Sequence, residues 1–302
     1  MSWLYFATAG YFLNAFSALG DKIILGKILP KPLSYAFWQG VLSLAVLFLI
    51  PFGFSILGPQ NLILSLSAGI LWIFGLYFFF EALFLSDASR TLPIILSLSP
   101  LFLFLFESFG LNRHFSSDEI LGALFLIAGS VFLSLNLEGN EHYSIKRFGI
   151  FAILAAFFFS LSLFLMKGLF LKETFLNVFI WSRFGMFLGA LSLLILPSGR
   201  FEIFQSADNV IKPRNSSSII LVKIIGSAGA LCIFFAIARG SVTLVNALQG
   251  LQYAFIFMLA FIASVFWPKL LHESFSFKSI LQKLSGIILV SIGLFLLLFH
   301  IT

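Results

Sequence analysis

Apolar residues fill this chain in long unbroken blocks, and polar residues gather in short breaks between them. A helix needs about 20 apolar residues at a 1.5 Å rise to cross the hydrocarbon of a bilayer. By that measure the pattern predicts ten membrane helices, at Trp3–Ile24, Leu33–Phe52, Leu62–Leu85, Arg90–Leu111, Ile120–Leu137, Phe148–Leu171, Phe175–Pro197, Ser218–Ala238, Val242–Trp267 and Leu284–Ile301. The breaks read "LGPQN", "NRHFSSDE", "EGNEHYSIKR", "SGRFEIFQSADNVIKPRNSSS" and "WPKLLHESFSFKSILQK". None is large enough to fold as a second domain, so the chemistry of the protein belongs in or beside the membrane.

The blocks repeat. The first ends "DKIILGK" and the sixth "MKGLFLK", which puts Lys22 and Lys167 at equivalent places 145 residues apart. The second carries Trp38 and ends "PFG", while the seventh carries Trp181 and ends "PSG". The fifth and tenth each hold glycines seven apart, Gly122 with Gly129 and Gly286 with Gly293. Seven residues is about two helical turns, so each pair lies on one face and suits close helix packing. Four matches in the same order predict a duplicated unit of five helices, residues 1–140 and 146–302. Because five is odd, the second copy enters the bilayer from the opposite side. The predicted fold is therefore an all-α integral membrane protein of ten transmembrane helices in two inverted repeats, the plan of secondary transporters with a midplane site.

Composition excludes the soluble classes. The chain has 302 residues, 60% hydrophobic and 10% charged, where a soluble domain carries about 25% charged residues. Its mean hydropathy is +1.09. A single cysteine, Cys232, excludes an internal disulfide and a cysteine-rich metal site. Met1 leads straight into an apolar block without a basic leader, so the first helix is expected to serve as its own insertion signal. The net charge of +6 suits loops facing anionic lipid rather than nucleic acid. Thirteen cations fall to one side: Lys22, Lys27, Lys31, Arg90, Lys146, Arg147, Arg200, Lys212, Arg214, Lys223, Lys269, Lys278 and Lys283. Four fall to the other: Arg113, Lys167, Lys172 and Arg239. The positive-inside rule puts the first group in the cytoplasm and both termini outside, in a multi-pass protein of the plasma (cytoplasmic) membrane.

With these features the chain resembles the ten-helix EamA-like branch of the drug/metabolite transporter superfamily. "SDASRTLPIILSLSPLF" (Ser86–Phe102) is similar to its fourth-helix signature. "GALFLIAGSVFL" (Gly122–Leu133) and "GIILVSIGLFLL" (Gly286–Leu297) are similar to the glycine-paired last helix of each half, and "WSRFGMFLGALSLL" (Trp181–Leu194) to its seventh. The resemblance implies a central cavity walled by helices one to four and six to nine, with the fifth and tenth peripheral. The chain departs from the pattern at Gln39 and Gly40, where the family often has an Arg, and at Asn112, where it often has a Glu.

Candidate chemistry lies where polar groups enter apolar blocks. Arg183 is the ninth residue of its block, a depth at which insertion costs about 2.5–3.5 kcal/mol. Two readings stand: snorkelling or a structural ion pair, and a clamp on an anionic group of a substrate. Asn14, Ser17 and Asp21 share one face of the first helix, which Lys22 closes, with Lys167 as the equivalent of Lys22. Asn246, Gln249, Gln252 and Tyr253 form a polar stripe on the ninth helix, and Ser97 and Ser99 occupy the equivalent stretch of the fourth. Amides in hydrocarbon need partners, either other helices or water and substrate in a cavity. Glu81 and Glu107 are candidate carriers of a coupling proton, with sodium as the other candidate coupling ion. The four paired glycines read as packing residues.

These features point to a permease or exporter of a small organic metabolite, working without a cofactor or metal. The oligomeric state, monomer or homodimer, is open. A non-transporting membrane scaffold is the alternative, and it would not need polar stripes in matching halves. A membrane enzyme is disfavoured. The four histidines lie in breaks or at the C-terminus, and no His-Glu-x-x-His, Gly-x-Ser-x-Gly or phosphate-loop spacing occurs. A channel would need a carbonyl filter or charged ring, and neither pattern is present.

Overall fold

A computed structural model describes residues 2–111, 117–134, 145–170, 172–195, 197–239, 249–267 and 277–299. Among them every regular element is helical. Helix α1 spans Ser2–Ile23 and passes into a π turn at Ile24–Ile28. Pro30 and Pro32 then break the chain, and Pro32 starts α2 (Pro32–Leu42), where its missing N–H costs no hydrogen bond. Helix α2 runs on as a 3-10 helix, Ser43–Phe52, which holds Pro51 and stops at Gly53 with a left-handed φ of 112°. Helix α3 (Pro59–Leu85) again opens on proline. Next come α4 (Ala88–Leu111), α5 (Ser117–Ser134), α6 (Ile145–Phe170) and α7 (Phe175–Leu193). Helices α8 (Pro197–Ile211), α9 (Pro213–Arg239), α10 (Gln249–Phe266) and α11 (Phe277–Phe299) follow among the described residues.

The protein is an all-α membrane protein. Among the described residues five stretches are long and apolar enough to cross a bilayer: Pro32–Phe52, Pro59–Leu85, Lys146–Phe170, Phe175–Leu193 and Asn215–Ile233. Four shorter apolar stretches lie in α4, α5, α10 and α11. Large side chains such as Phe48, Phe84, Ile153, Leu188 and Phe261 stand on the outer surface, as lipid-facing positions require.

The polar segment after α7, expected as a loop, is instead helical. In α8, Ile203, Ser206 and Val210 follow at spacings of three and four and are buried, while Phe201 and Phe204 face out. A length of 15 residues with mixed polarity hides such a helix from any test for membrane spans. Ser34 and Ser206 share a hydrogen bond of 2.5 Å, and Lys31 donates to Gln205, so α8 lies across the start of α2.

Two contacts in the bundle recur with their partners exchanged. Ser17 on α1 donates to the Val222 carbonyl on α9 (3.1 Å), and Ser162 on α6 donates to the Ala68 carbonyl on α3 (2.7 Å). Ser162 follows Ser17 by 145 residues, and Val222 follows Ala68 by 154. The same two offsets relate a second pair: Gly229 closes on Asn14, and Gly75 closes on Phe159. In both seams partner numbers fall on one helix as they rise on the other, so α1–α9 and α3–α6 are antiparallel. Helices α5 and α11 also cross antiparallel. A Cβ on Gly293 would stand 2.8 Å from the Gly122 carbonyl, and one on Gly129 would stand 3.1 Å from the Gly286 carbonyl. The α3–α7 seam runs parallel, with Gly185 against Leu66 and Gly189 against Ile70.

Candidate functional site

The polar residues of α1 face α9. Beyond Ser17, the Asp21 carboxylate is buried and accepts from the Tyr35 hydroxyl of α2 at 2.5 Å and from Lys223 Nζ of α9 at 2.6 Å. The Lys223 ammonium also lies 4.7 Å from the centre of the Tyr35 ring and 5.3 Å from that of Phe80 on α3. A cation between a carboxylate and two aromatic faces is balanced on every side, which is how a charge in a seam of apolar helices is tolerated. Lys22, the next residue, turns away and donates to the Leu83 and Ser86 carbonyls (2.7 and 2.6 Å). Those carbonyls are the bare end of α3, where the helix dipole favours a cation.

A second buried pair closes the start of α4: Lys283 of α11 lies 3.2 Å from the Asp87 carboxylate, and Gln282 beside it donates to the Phe132 carbonyl of α5. At the same end Glu81 is partly buried, with Arg147 of α6 and Glu202 of α8 as charged neighbours. Lys22, Lys31, Arg147, Lys223 and Lys283, all assigned to the basic side from the sequence, thus meet at one end of the bundle through named contacts.

The opposite end of α7 is bound to the connection that follows the 3-10 continuation of α2. Ser55 N–H donates to Asn177 Oδ1 (2.9 Å), Asn177 Nδ2 donates to Ser55 Oγ (2.6 Å), and Trp181 Nε1 donates to the Ser55 carbonyl (3.2 Å). Between the two ends sits Arg183. Its Nη1–H points at Met186 Sδ (2.7 Å), and its guanidinium lies 4.6 Å from the centre of the Phe179 ring. Among the described residues no carboxylate stands in ion-pair range of it. The Ser43 hydroxyl of α2 donates to its backbone carbonyl (3.0 Å).

The described residues of the predicted stripes lie inside the bundle. Ser97 is fully buried and bonded to the Ile94 carbonyl, and Ser99 to the Ile95 carbonyl. The Ser160 hydroxyl of α6 reaches the Ser99 carbonyl at 2.9 Å. Gln252 and Tyr253 on α10 are buried, and the Tyr253 hydroxyl has no hydrogen-bond partner among the described residues. Asn246 and the side chains of Glu107, Lys167 and Gln249 lie outside the described residues. The described candidates therefore lie in the α1–α9 seam, the interior around α4 and α10, the α2–α7 seam and, for Lys22 and Glu81, at the basic end, rather than on one wall. Two grooves indent the surface beside α8, lined by Leu29, Lys31, Gln205 and Ser206 and by Arg200, Phe201 and Phe204, and neither holds a candidate.

Tyr35, Phe80, Lys223, Asp87 and Lys283 were not singled out from the sequence as site residues. Lys223 carried the same signal as Arg183, one cation inside an apolar run, in "IILVKIIGS". The aromatic partners carried none, because a buried Tyr or Phe reads as core.

No family model matches the chain, and no curated protein matches its sequence. A solved crystal structure of another protein superposes with a TM-score of 0.54 at 18% identity, over 95% of this chain and 98% of that one. At that identity the likeness concerns the fold alone.

Proposed function

We propose that the protein is a secondary transporter of the EamA-like type that moves a small organic metabolite by alternating access between two inverted five-helix repeats. One observation carries this reading. The Ser17–Val222 contact and its exchanged counterpart Ser162–Ala68 tie the first helix of each half to the third helix of the other, in constant register. The antiparallel crossing of α5 and α11, with Gly122 opposite Gly293 and Gly129 opposite Gly286, supports it from the fifth helices. Two halves related this way can rock about their shared seams, since the serine-to-carbonyl contact of each seam has a twin in the other.

In this reading the Asp21–Lys223 pair, with Tyr35 and Phe80, closes the basic end, and the cargo path opens at the other. The basic end is the cytoplasmic one and the membrane is the plasma membrane. The cargo is found by comparing metabolites in cells and medium after deletion and overexpression. Uptake of that cargo into proteoliposomes then tests the mechanism, with imposed proton or sodium gradients separating the coupling ions. Arg183→Ala and Gln249→Ala are expected to reduce flux while the protein still inserts and stays folded. Full flux in both variants would remove the proposed path, and cargo that emerges chemically altered would make the protein an enzyme.

A further inference from the structure

Arg183 differs from three lysines set into the bundle. Lys223 meets Asp21, Lys283 meets Asp87, and Lys22 meets the end of α3. The Arg183 guanidinium, with five N–H donors, engages one sulfur and one aromatic face of its own helix. A thioether is a weak acceptor and a ring face a weak counter-charge, so most of its capacity for charge-assisted bonding is unused. Nor is the head group stretched toward lipid head groups. It is held between Phe179, one turn before it, and Met186, nearly one turn after it. That keeps it near its own level, about 12 Å from the start of a 19-residue helix.

The facing helix comes close at this level. Ser43 on α2 touches the Arg183 carbonyl, and a Cβ on Gly40 would stand 3.0 Å from the Met186 carbonyl, so this stretch of α2 faces that level of α7. One turn from Ser43, Gln39 Oε1 is buried without a hydrogen-bond partner among the described residues, as is Trp38 Nε1 beside it. A guanidinium whose donors are left unused inside an apolar bundle is the group that recognises an oxyanion bearing an organic body.

We infer that Arg183, beside the α2–α7 seam, is the clamp for the carboxylate or phosphate of an anionic organic cargo. This rests on the transporter reading for the word cargo, but the binding site is testable without transport. The first arm asks whether water reaches the site. In a Cys232→Ser background, Arg183→Cys should react with a negatively charged thiosulfonate within roughly tenfold of the rate at the exposed Ile56→Cys. The outward-facing Leu188→Cys should be slower than both by more than roughly tenfold. The second arm uses purified protein in non-ionic detergent, with phenylacetate, phenyl phosphate and the neutral phenylacetamide as probes. An anionic probe should raise Tm by about 3–5 °C at saturation where the amide does not, and Arg183→Gln should lose that shift while Arg183→Lys keeps part of it. Comparison of the two acids tells carboxylate from phosphate recognition. An unreactive Arg183→Cys, equal shifts with acid and amide, or a full shift in Arg183→Gln would each overturn the site. Acid-selective binding without uptake into vesicles would keep the site and remove the transporter.

Discussion

Asp21 and Lys223 hold each other across the α1–α9 seam, and their arrangement decides what a substitution there does. Each side chain is largely buried, 10% exposed for Asp21 and 15% for Lys223, so neither charge can turn to water when its partner is lost. Breaking such a pair from one side costs about 3–5 kcal/mol, whereas replacing both members with apolar residues of similar volume is often neutral. Asp21→Asn and Lys223→Met are each expected to lower stability in detergent by that amount, measured by denaturant unfolding at fixed detergent. The double variant Asp21→Leu/Lys223→Met should recover most of the loss. If the pair also closes the basic end, the double variant will be stable yet will leave cysteines placed near Phe80 open to polar reagents from that end. Stability without that opening would make the pair a structural tie and no gate.

Helix α7 shows how closely two elements can approach and why glycine is required there. A Cβ on Gly185 would fall on the Leu66 carbonyl of α3, and one on Gly69 would fall on the Ser182 carbonyl of α7. The obstacle is backbone in both directions, so neither helix can yield by turning a side chain. Ordinarily Gly→Ala inside a helix stabilises by about 0.5–1 kcal/mol, but overpacking costs about 1–3 kcal/mol and should win here. Gly185→Ala is expected to lower Tm, and Gly149→Ala on α6, where a Cβ meets nothing within 4 Å, to hold or raise it. A thermal-shift comparison of the two variants checks the sign of each. The sequence made some of this readable. Block length marked the helices, and the seven-residue glycine spacing marked the faces on which α5 and α11 meet. It hid α8, because a 15-residue helix lying across the bundle carries neither an apolar block nor a long enough stripe. It also hid the α3–α7 seam, since Gly69, Gly185 and Gly189 are spread among other small residues and gain meaning only from the partner helix. The partners of Asp21 were unreadable for the same reason: Lys223 lies 202 residues away, and only the folded chain joins them.

The exchanged contacts and the charge distribution together make one demand on how the chain sits in its membrane. If α1 and α9 are antiparallel, as are α3 and α6, then the end holding Lys22, Lys31, Arg147, Lys223 and Lys283 is a single face of the bundle. Helix α8, with Arg200 and the outward Phe201 and Phe204, lies on that same face through Ser34 and Lys31. Cations concentrated on one face determine orientation during insertion, so that face should be cytoplasmic, and the turn between α2 and α3 should be outside. Single cysteines in the Cys232→Ser background test this directly. Ile56→Cys, in that turn and 81% exposed, should react with a membrane-impermeant maleimide in intact cells. Gln205→Cys on the exposed side of α8 should react only after the cells are opened. The reverse pattern would put both the basic face and α8 outside and would require the charge rule to fail for this chain. Reaction of both positions in intact cells would mean that the two ends of one helix bundle are on the same side of the membrane, and no arrangement in which α2 crosses the bilayer allows that.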